Sequence, residues 1–343
     1  MRVLMVTCEW PTPDLPRQAP FVVRQVQFLR KAGVDVDVFF FRGSKNPLKY
    51  LRAWWTVHRK LRLESYDLVH AQWGQSAVPV LPTRLPLVVT FRGGEVEGIV
   101  GDNGRYTLWG RGLQVIGWYV ARRADQLVLV SAHMARLLPR RPVHVIPSGL
   151  DFAKLALVPK ADARRQLALP ERKRLVLFAG DPAEARKRYA LASDVVSRLD
   201  PALDAQLVVA WNVPHEKMHL YMNACDALLF VSMYEGSPNV VKEALACNLP
   251  VVSVDVGDVA ERLEGISGCI LSTSEDPVDL AKELDRVLRA ERRLDSRIAI
   301  AELDENRLAQ RMIRIYQIAI SRPGRDHEII TYRANDVSPD AHT

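Results

Sequence analysis

Short apolar runs alternate with longer stretches of helical periodicity along most of the chain. In the first half the runs lie at residues 3–7, 34–41, 68–72, 87–91, 126–131 and 143–146. In the second half they lie at residues 175–179, 206–210, 227–231, 251–254 and 269–271. Buried strands that alternate with helices are typical of parallel α/β sheets. The pattern predicts two doubly wound, Rossmann-like α/β domains, with ligand sites at the carboxyl ends of their strands.

The boundaries of these domains follow from breaks in the pattern. The segment Pro147-Ser148-Gly149-Leu150-Asp151 interrupts the alternation, so we expect an N-terminal domain over 1–148 and a C-terminal domain over 149–304. Apolar residues at helical spacing then predict a helix over 305–322. Residues 323–343 show no periodicity, and we expect them to form a mobile tail.

One stretch, residues 234–254, combines a loop, a helix and a buried strand. Ser237 is suited to cap the helix and Pro238 to occupy its first position, where the missing N–H is not needed. The helix should run over residues 239–247 and end at Asn248, which tolerates left-handed geometry, before Pro250. The unpaired N–H groups at such a helix start can hold a phosphate or a sugar hydroxyl.

Two carboxylates belong to this stretch, Glu235 before the helix and Glu243 within it. Either could accept hydrogen bonds from vicinal hydroxyl groups. The alternative is an ordinary loop–helix–strand unit whose two carboxylates are solvated.

Composition limits the class of protein. A chain of 343 residues with 48% hydrophobic and 25% charged residues is typical of a soluble globular protein with two cores. The N-terminal residues lead straight into a strand, and no apolar run approaches a membrane span. Cys225 and Cys247 lie in apolar helical patterns, which is usual for reduced cysteines. We therefore expect a cytoplasmic protein, with a peripheral position on the inner face of the membrane left open.

The net charge of +7 calls for an anionic partner. Nucleic acid is not expected, because the chain lacks an aromatic-interleaved basic motif. An anionic nucleotide or an anionic membrane surface explains the charge equally well. The segment from Lys45 to Leu63 is a membrane candidate: Tyr50, Trp54 and Val57 line one helical face, and basic residues line the other. The alternative is a helix packed on its own sheet.

The motif EGSPNVVKEALAxxxPVV, starting at Glu235, resembles the donor-site signature of family 4 retaining glycosyltransferases, which have the GT-B fold. The resemblance implies two Rossmann-like domains facing a cleft and a last helix that crosses back to the first domain. It also implies that Glu235 faces the donor sugar and Glu243 holds the nucleotide ribose. The donor site would include the whole turn, namely Gly236, Ser237, Pro238, Asn239 and Val240. The family requires neither a cofactor nor a metal ion.

A basic segment after the strand at 175–179 resembles the family's diphosphate clamp, which pairs an Arg with a Lys. Lys187 matches the lysine, whereas Asp181 stands at the position of the arginine. The second cation would then come from Arg186 or from Arg92. A solvated basic turn is the alternative.

Three segments of the first half resemble family motifs with substitutions. Arg92 stands where the family has a histidine, and a guanidinium there can pair a phosphate or sugar oxygen but cannot act as a base. His70 ends a strand and either lines the cleft or is structural. Ala19 and Pro20 replace a glycine-rich turn that would approach the donor phosphates, and they lack its permissive dihedral angles.

Two other motifs are assigned no chemistry. His215 and His219 form an H-E-x-x-H pattern, but a catalytic zinc needs a third ligand, and none follows at a suitable interval. Asp35 and Asp37 alternate with valines inside a strand, so they share one solvent face.

The resemblance implies a retaining glycosyltransferase that moves a sugar from a nucleotide-diphosphate sugar to a hydroxyl acceptor. The acceptor would be a lipid-linked or polysaccharide precursor. Two alternatives stay open, a nucleotide-sugar 2-epimerase of the same fold and a catalytically inactive nucleotide-sugar-binding scaffold.

Overall fold

The computed structural model describes residues 1–16, 18–43, 46–99, 106–138 and 142–321. The chain divides into two compact units, of which the first comprises Met1–Pro147 and Leu308–Thr343 and the second Ser148–Arg307. The segment expected to form a tail, 323–343, lies outside the described residues.

Eleven strands are present in the described part of the chain, each within two residues of an apolar run in the sequence. They are β1 (Arg2–Thr7), β2 (Asp35–Phe40), β3 (Leu68–Gln72), β4 (Leu87–Phe91), β5 (Gln126–Leu129), β6 (His144–Val145), β7 (Arg174–Ala179), β8 (Ala205–Ala210), β9 (Ala227–Phe230), β10 (Val251–Val254) and β11 (Ile270–Ser272).

The helices of the same residues lie between these strands or follow the last of them. They are α1 (Pro20–Lys31), α2 (Pro47–Leu63), α3 (Gly74–Ala77), α4 (Gly94–Glu97), α5 (Leu108–Arg123), α6 (Lys160–Gln166), α7 (Tyr189–Ser197), α8 (His215–Ala224), α9 (Asn239–Ala246), α10 (Val259–Leu263), α11 (Pro277–Arg289), α12 (Ser296–Ala299) and α13 (Glu305–Ser321).

Both sheets are parallel. The first has the strand order β2-β1-β3-β4-β5-β6 and the second β11-β10-β9-β7-β8. Strands β3, β4 and β5 of the first sheet are buried along their whole length, as are β9 and β10 of the second. Helices must then cover both faces, which explains why these strands read as continuous apolar runs. The predicted pair of doubly wound α/β domains is confirmed.

The last helix, α13, begins in the second unit and packs in the first. Leu308, Met312, Ile315, Tyr316 and Ala319 are all buried in the hydrophobic core of the first unit. Their spacing places one helical face against that core, so the predicted return of the chain to the first domain is confirmed.

The side of α2 that was predicted to face a membrane is packed against the first unit. Val57 is fully buried, Tyr50 packs edge-on against Phe41, and Trp54 donates through Nε1 to the carbonyl oxygen of Leu81 at 3.1 Å. The face predicted to touch lipid therefore packs on the protein's own first unit. That prediction was wrong because the helix carries apolar residues on both sides, and Lys45 itself lies outside the described residues.

Other charged and polar groups have structural partners. Asp37 pairs with Lys60 at 2.8 Å and accepts from the Tyr66 hydroxyl at 2.5 Å, and Asp35 pairs with Arg2 at 3.3 Å.

Among the described residues, no helix is both long enough and apolar enough to cross a lipid bilayer.

All four cysteines are free thiols. Cys8 lies in the first unit, whereas Cys225, Cys247 and Cys269 lie in the second. Burial raises the pKa of each thiol, to about 12 for Cys8, Cys225 and Cys247 and to about 11 for Cys269.

Candidate functional site

Two loops of the second unit meet at the carboxyl ends of neighbouring strands. After β7, the chain forms a 3-10 helix over Ala185–Lys187, and after β9 it forms the loop that leads into α9. The backbone N–H of Met233 donates to the carbonyl oxygen of Arg186 at 2.9 Å, which joins the loops. Since β7 and β9 are adjacent in the sheet, the residues predicted to bind a donor lie on one edge.

Glu235 is the point at which two basic side chains converge. Its Oε1 accepts from Lys187 Nζ and, at 2.5 Å, from Arg186 Nη1. The side chains of Glu235 and Lys187 are only 17% and 16% exposed, so water screens these contacts weakly. We call Glu235, Arg186 and Lys187 the basic cluster.

Glycine at position 180 shapes the path of Lys187 to the basic cluster. A Cβ on Gly180 would lie 3.3 Å from both Cγ and Cδ of Lys187, so the lysine stem lies directly over this residue. Asp181, which stands in place of a clamp arginine, instead accepts from the backbone N–H of Ala183 at 2.9 Å.

The basic cluster has two cations for one shared carboxylate. Arg186 has a further partner in Glu184, which is more exposed, at 2.5 Å. Burial lowers the pKa of Arg186, but Glu235 and Glu184 together raise it above its usual value. The guanidinium stays charged, and an anionic ligand such as a diphosphate would compete with these carboxylates for the two cations.

The start of α9 differs by one position from the prediction. Pro238 is the residue before the helix, which begins at Asn239, and no side chain caps it. Ser237 does not act as the cap because its hydroxyl donates to Asp258 Oδ2 at 2.8 Å and accepts from Lys242 Nζ at 3.1 Å. The helix start therefore keeps its N–H groups free of side-chain caps, which suits an anion site.

A second loop, after β10, supports this turn and was not predicted. Gly257 has a φ of 63°, and a Cβ there would lie 2.5 Å from the carbonyl oxygen of Glu235. Only glycine allows this approach. Asp258, the next residue, is buried and binds both Ser237 and, at 3.0 Å, Arg262 Nε. A glycine followed by an acid, in the loop that leaves the buried strand β10, was the available signal.

Glu243, the second predicted carboxylate, lies on the first turns of α9 and its side chain is 7% exposed. Its Oε1 is 3.8 Å from Nε2 of His215, the first residue of α8. His215 therefore neighbours the predicted ribose carboxylate. In the described residues, no group of three or more His, Cys, Asp or Glu side chains is placed to hold a metal ion.

Asn239 and Val240, the first two residues of α9, also belong to the predicted donor site. The side-chain oxygen of Asn239 is buried and accepts no hydrogen bond from a described residue, and Val240 is half-buried beside the core of the second unit. An Asn oxygen without a partner inside a turn is one that a ligand hydroxyl could satisfy.

Arg92 is held at the carboxyl end of β4 in the first unit. Its Nε and Nη2 donate to Gln72 Oε1 at 3.0 and 2.6 Å, and Nη2 also reaches Gln25 Oε1 at 3.1 Å. The guanidinium lies 4.6 Å from the ring centroid of Phe21 and 5.5 Å from that of Trp73. Its position is fixed by amides and aromatic rings.

His70 does not line an open surface, so that prediction was wrong. The ring is fully buried, with Nδ1 2.6 Å from the Tyr316 hydroxyl and Nε2 2.7 Å from Thr90 Oγ1. Burial, and secondly the charge of Arg92, lowers the pKa of His70 to about 3, so the ring is neutral. It joins α13 to the sheet of the first unit.

The turn before α1 keeps a glycine-like backbone without a glycine. Ala19 has φ 46° and ψ 52°, the left-handed conformation, and is buried, while Pro20 opens the helix. The turn is therefore kept although the glycine is absent, because Ala19 adopts the left-handed conformation at some cost in strain.

A hydrogen-bonded group at the same sheet edge was missed in the sequence. His133 Nδ1 lies 2.6 Å from Ser131 Oγ, and its Nε2 contacts Glu97 Oε1. Ser131 is buried. These residues follow β4 and β5, but they are far apart in sequence and carry no motif.

Comparison with known proteins identifies the family. The model described as Glycosyltransferase Family 4 matches residues 1–154, and the one described as Glycosyl transferases group 1 matches residues 164–290. Together the two matches cover more than half of the chain.

Individual relatives are similar at lower identity. A protein named as the teichuronic acid biosynthesis glycosyltransferase TuaC, from Bacillus subtilis, is 24% identical, and the match covers 76% of this chain and 82% of that protein. The D-inositol 3-phosphate glycosyltransferase of Thermobifida fusca is 28% identical over 68% of this chain and 65% of its own length.

Solved structures of low identity show the fold. Sucrose-phosphate synthase from Thermosynechococcus elongatus superimposes with a TM-score of 0.77 at 17% identity, covering 93% of this chain and 99% of that one. HepE from Anabaena, in complex with UDP and glucose, gives a TM-score of 0.68 at 16% identity, covering 93% and 100%. The chain has the GT-B fold and belongs to the group 1, family 4 glycosyltransferases.

Proposed function

We propose that the protein is a retaining glycosyltransferase that moves a sugar from a nucleoside-diphosphate sugar to a hydroxyl group of an acceptor. The observation that carries this proposal is the basic cluster, in which Arg186 and Lys187 share one carboxylate oxygen of Glu235 beside an uncapped helix start. HepE, a protein of this fold, has been solved with UDP-glucose.

The residues of the second unit then take separate roles. Lys187 and Arg186 hold the diphosphate, with Arg186 in place of the clamp arginine that Asp181 replaces. Glu235 orients the sugar and Glu243 the ribose. The turn from Gly236 to Val240 supplies backbone N–H groups.

The reaction breaks the bond between sugar C1 and the diphosphate oxygen and forms a bond from C1 to the acceptor oxygen. Negative charge grows on the departing diphosphate, and fixed cations lower the barrier most where charge develops. In the retaining mode the acceptor proton passes to the leaving phosphate oxygen on the same face. Arg92, fixed at the edge of the first sheet, is proposed to contact a phosphate or sugar oxygen.

We propose that transfer needs no divalent metal ion, since the two cations and the helix start meet the diphosphate charge. The acceptor class is a lipid-linked or polysaccharide precursor. TuaC, named for teichuronic acid biosynthesis, supports a polymer precursor.

The test is turnover of a panel of nucleotide sugars with chelator present, with and without a mixture of lipid-linked acceptors. Transfer with retention of the anomeric configuration is the expected result. Epimerised nucleotide sugar without acceptor would show the 2-epimerase instead. Binding without any turnover would show an inactive scaffold, and inversion at C1 would overturn the retaining mode.

A further inference from the structure

We propose that Glu235 is an exchangeable ligand of the basic cluster, whose carboxylate alternates with the donor diphosphate on Arg186 and Lys187. Once displaced, the carboxylate accepts a hydrogen bond from the donor sugar. After transfer it returns to the two cations as the nucleoside diphosphate leaves. The inference rests on the proposed function, because it gives a residue of the same site a second state.

The carboxylate of Glu235 already bridges the two cations. Its Oε1 accepts from Arg186 Nη1 at 2.5 Å and also from Lys187 Nζ. A diphosphate that binds between the same two cations therefore meets a negative charge in its place. Like charges repel strongly where water screens them weakly, and the side chains of Glu235 and Lys187 are only 17% and 16% exposed. The two anions thus exclude each other, and the diphosphate binds only when the carboxylate moves away.

Arg186 keeps its position through contacts other than the one with Glu235. Its Nε lies 2.5 Å from Glu184 Oε1, and its carbonyl oxygen accepts from the backbone N–H of Met233 at 2.9 Å. These contacts fix both the side chain and the backbone of the arginine. Departure of the Glu235 carboxylate therefore leaves the guanidinium in place to receive a phosphate oxygen.

Lys187 is also held independently. Its stem lies over Gly180, where a Cβ would be 3.3 Å from both Cγ and Cδ of the lysine. Its Nζ lies 6.0 Å from the ring centroid of Phe230, at the outer limit of a cation–π contact. The basic cluster thus keeps its two positive charges while its carboxylate changes partners.

The backbone of Glu235 is fixed, so the exchange involves its side chain alone. Gly257 packs against this peptide so closely that a Cβ there would lie 2.5 Å from the carbonyl oxygen of Glu235 and 3.0 Å from that of Gly236. A glutamate side chain reaches other positions by rotating between staggered rotamers. One such rotation moves the carboxylate from the cations toward a sugar without rearranging the turn.

This exchange separates the donor from the product. The apparent Kd of any diphosphate ligand rises in inverse proportion to the fraction of molecules in which the cations are uncovered. A nucleotide sugar recovers part of that loss, because the displaced carboxylate gains a hydrogen bond from the sugar. A nucleoside diphosphate offers no sugar and recovers nothing. Glu235 should therefore weaken product binding more than donor binding, which favours product release.

The test compares Glu235→Gln, Glu235→Asp and the wild type as full chains. Inorganic diphosphate, UDP, GDP and ADP are titrated calorimetrically, and dissociation of the nucleotide that binds most tightly is timed by stopped flow. The control is Glu275→Gln, which removes one negative charge from the pair with Arg188, at 3.0 Å, and not from the basic cluster. Thermal unfolding checks the folding of each variant, and turnover is measured with the nucleotide sugar that the wild type uses.

Glu235→Gln should bind inorganic diphosphate and the nucleoside diphosphate about tenfold more tightly than the wild type. A neutral amide oxygen holds the two cations less strongly than a carboxylate does, so it is displaced more easily. Most of the gain should appear as slower dissociation. Turnover should nevertheless fall, because the contact with the sugar is lost. A residue that only stabilised the loop would not combine tighter binding with slower turnover.

The other two variants separate contact from net charge. Glu235→Asp keeps the charge but shortens the side chain by one methylene, so it should still gain affinity for diphosphate, by less than Glu235→Gln. Glu275→Gln should stay within about twofold of the wild type, because the charge of an exposed pair is screened by water.

Unchanged or weaker diphosphate binding in both Glu235 variants would overturn the inference, while turnover of a nucleotide sugar by the wild type would leave the proposed function standing. Equal gains in Glu235→Gln and Glu275→Gln would also overturn it, because they would show a response to net charge alone. If neither the wild type nor Glu235→Gln binds a diphosphate or a nucleotide sugar, the inference and the proposed function both fail.

Discussion

At the scale of single residues, the second unit concentrates its candidate chemistry in side chains that bind one another. Glu235 accepts from two cations, Ser237 links Asp258 to Lys242, and Glu243 lies beside His215. Each predicted substitution therefore removes a defined contact, and its neighbours provide the controls.

The two carboxylates of the proposed donor site should differ in their kinetic effect. Glu235 is proposed to touch the sugar, which changes charge in the transition state, so Glu235→Gln should mainly lower kcat. Glu243 is proposed to hold the ribose, which hardly changes, so Glu243→Gln should mainly raise KM. The loss of one charged hydrogen bond should change kcat in Glu235→Gln, and KM in Glu243→Gln, by about 10- to 150-fold.

The measurement is initial rate against donor concentration. Wild-type kinetics in both variants would remove both residues from the site. Interchanged effects would keep the site and reverse the two roles.

We expect Arg186 to contribute to diphosphate binding and Arg188 not to contribute. Arg186→Ala should weaken binding of the cognate nucleoside diphosphate by about 10- to 100-fold, because a charge-assisted contact is lost. The monophosphate should be affected much less. Arg188→Ala is the matched control, because Arg188 pairs with Glu275 at 3.0 Å and not with Glu235.

Calorimetric titration of both nucleotides into both variants is the measurement. Equal losses in the two variants would show that only the net charge of the turn matters, and the assignment of Arg186 to the clamp would then fail.

At the scale of elements, the strands could be predicted and the sides of helices could not. A buried parallel strand is apolar on both faces, so runs such as 251–254 identify it without tertiary information. Helix α2 carries Trp54 on one side and Trp55 on the other, and the sequence cannot tell which side the sheet will cover. The start of α9 was displaced because a tertiary contact to Asp258 takes the Ser237 hydroxyl.

The same limit applies to the candidate site. The Glu235 motif could be found because its residues are local, whereas Arg186, Gly257 and Asp258 reach the motif only through the adjacency of β7, β9 and β10. Contacts between loops of neighbouring strands leave no periodic trace in a single sequence.

The turn before α1 should tolerate glycine and reject a β-branched residue. Ala19 has positive φ, so Ala19→Gly relieves backbone strain in the folded protein. The same substitution removes a buried methyl group and increases the entropy of the unfolded chain. The effects oppose each other, so the free energy of unfolding should change little. Ala19→Val should lower the free energy of unfolding by about 2 kcal/mol or more, since such residues are outliers at positive φ.

Urea unfolding of both variants is the measurement. Ala32→Val is the control, because Ala32 has an ordinary φ of −83° at the other end of α1. Similar costs for the two valine variants would mean that Ala19 is not strained.

At the scale of the whole molecule, two buried groups of the first unit should give stability an uneven pH dependence. His70 has its pKa lowered to about 3 from 6.5, by burial and then by Arg92. Between these values the unfolded chain binds more protons, so stability falls as the pH is lowered from 6.5 to 3. His70→Gln should remove this component of the acid loss.

Glu95 acts in the opposite direction. Burial raises the pKa of Glu95 to about 7 from 4.5, so between these values the folded chain binds more protons and lowering the pH stabilises it. The two effects oppose each other from pH 6.5 to 4.5. Glu95→Gln should therefore steepen the loss in that range. Unfolding midpoints measured across pH check both variants, and curves parallel to the wild type would contradict the assignment.

The buried thiols make the chain its own reporter of local opening. Only a thiolate reacts with an alkylating reagent, and the three buried thiols, with pKa values near 12, are almost wholly protonated at neutral pH. Labelling of these three should then proceed only as fast as the surrounding core opens. Because Cys8 belongs to one unit and Cys225 and Cys247 to the other, mass spectrometry of labelled peptides would time the unfolding of each unit separately, without any engineered probe.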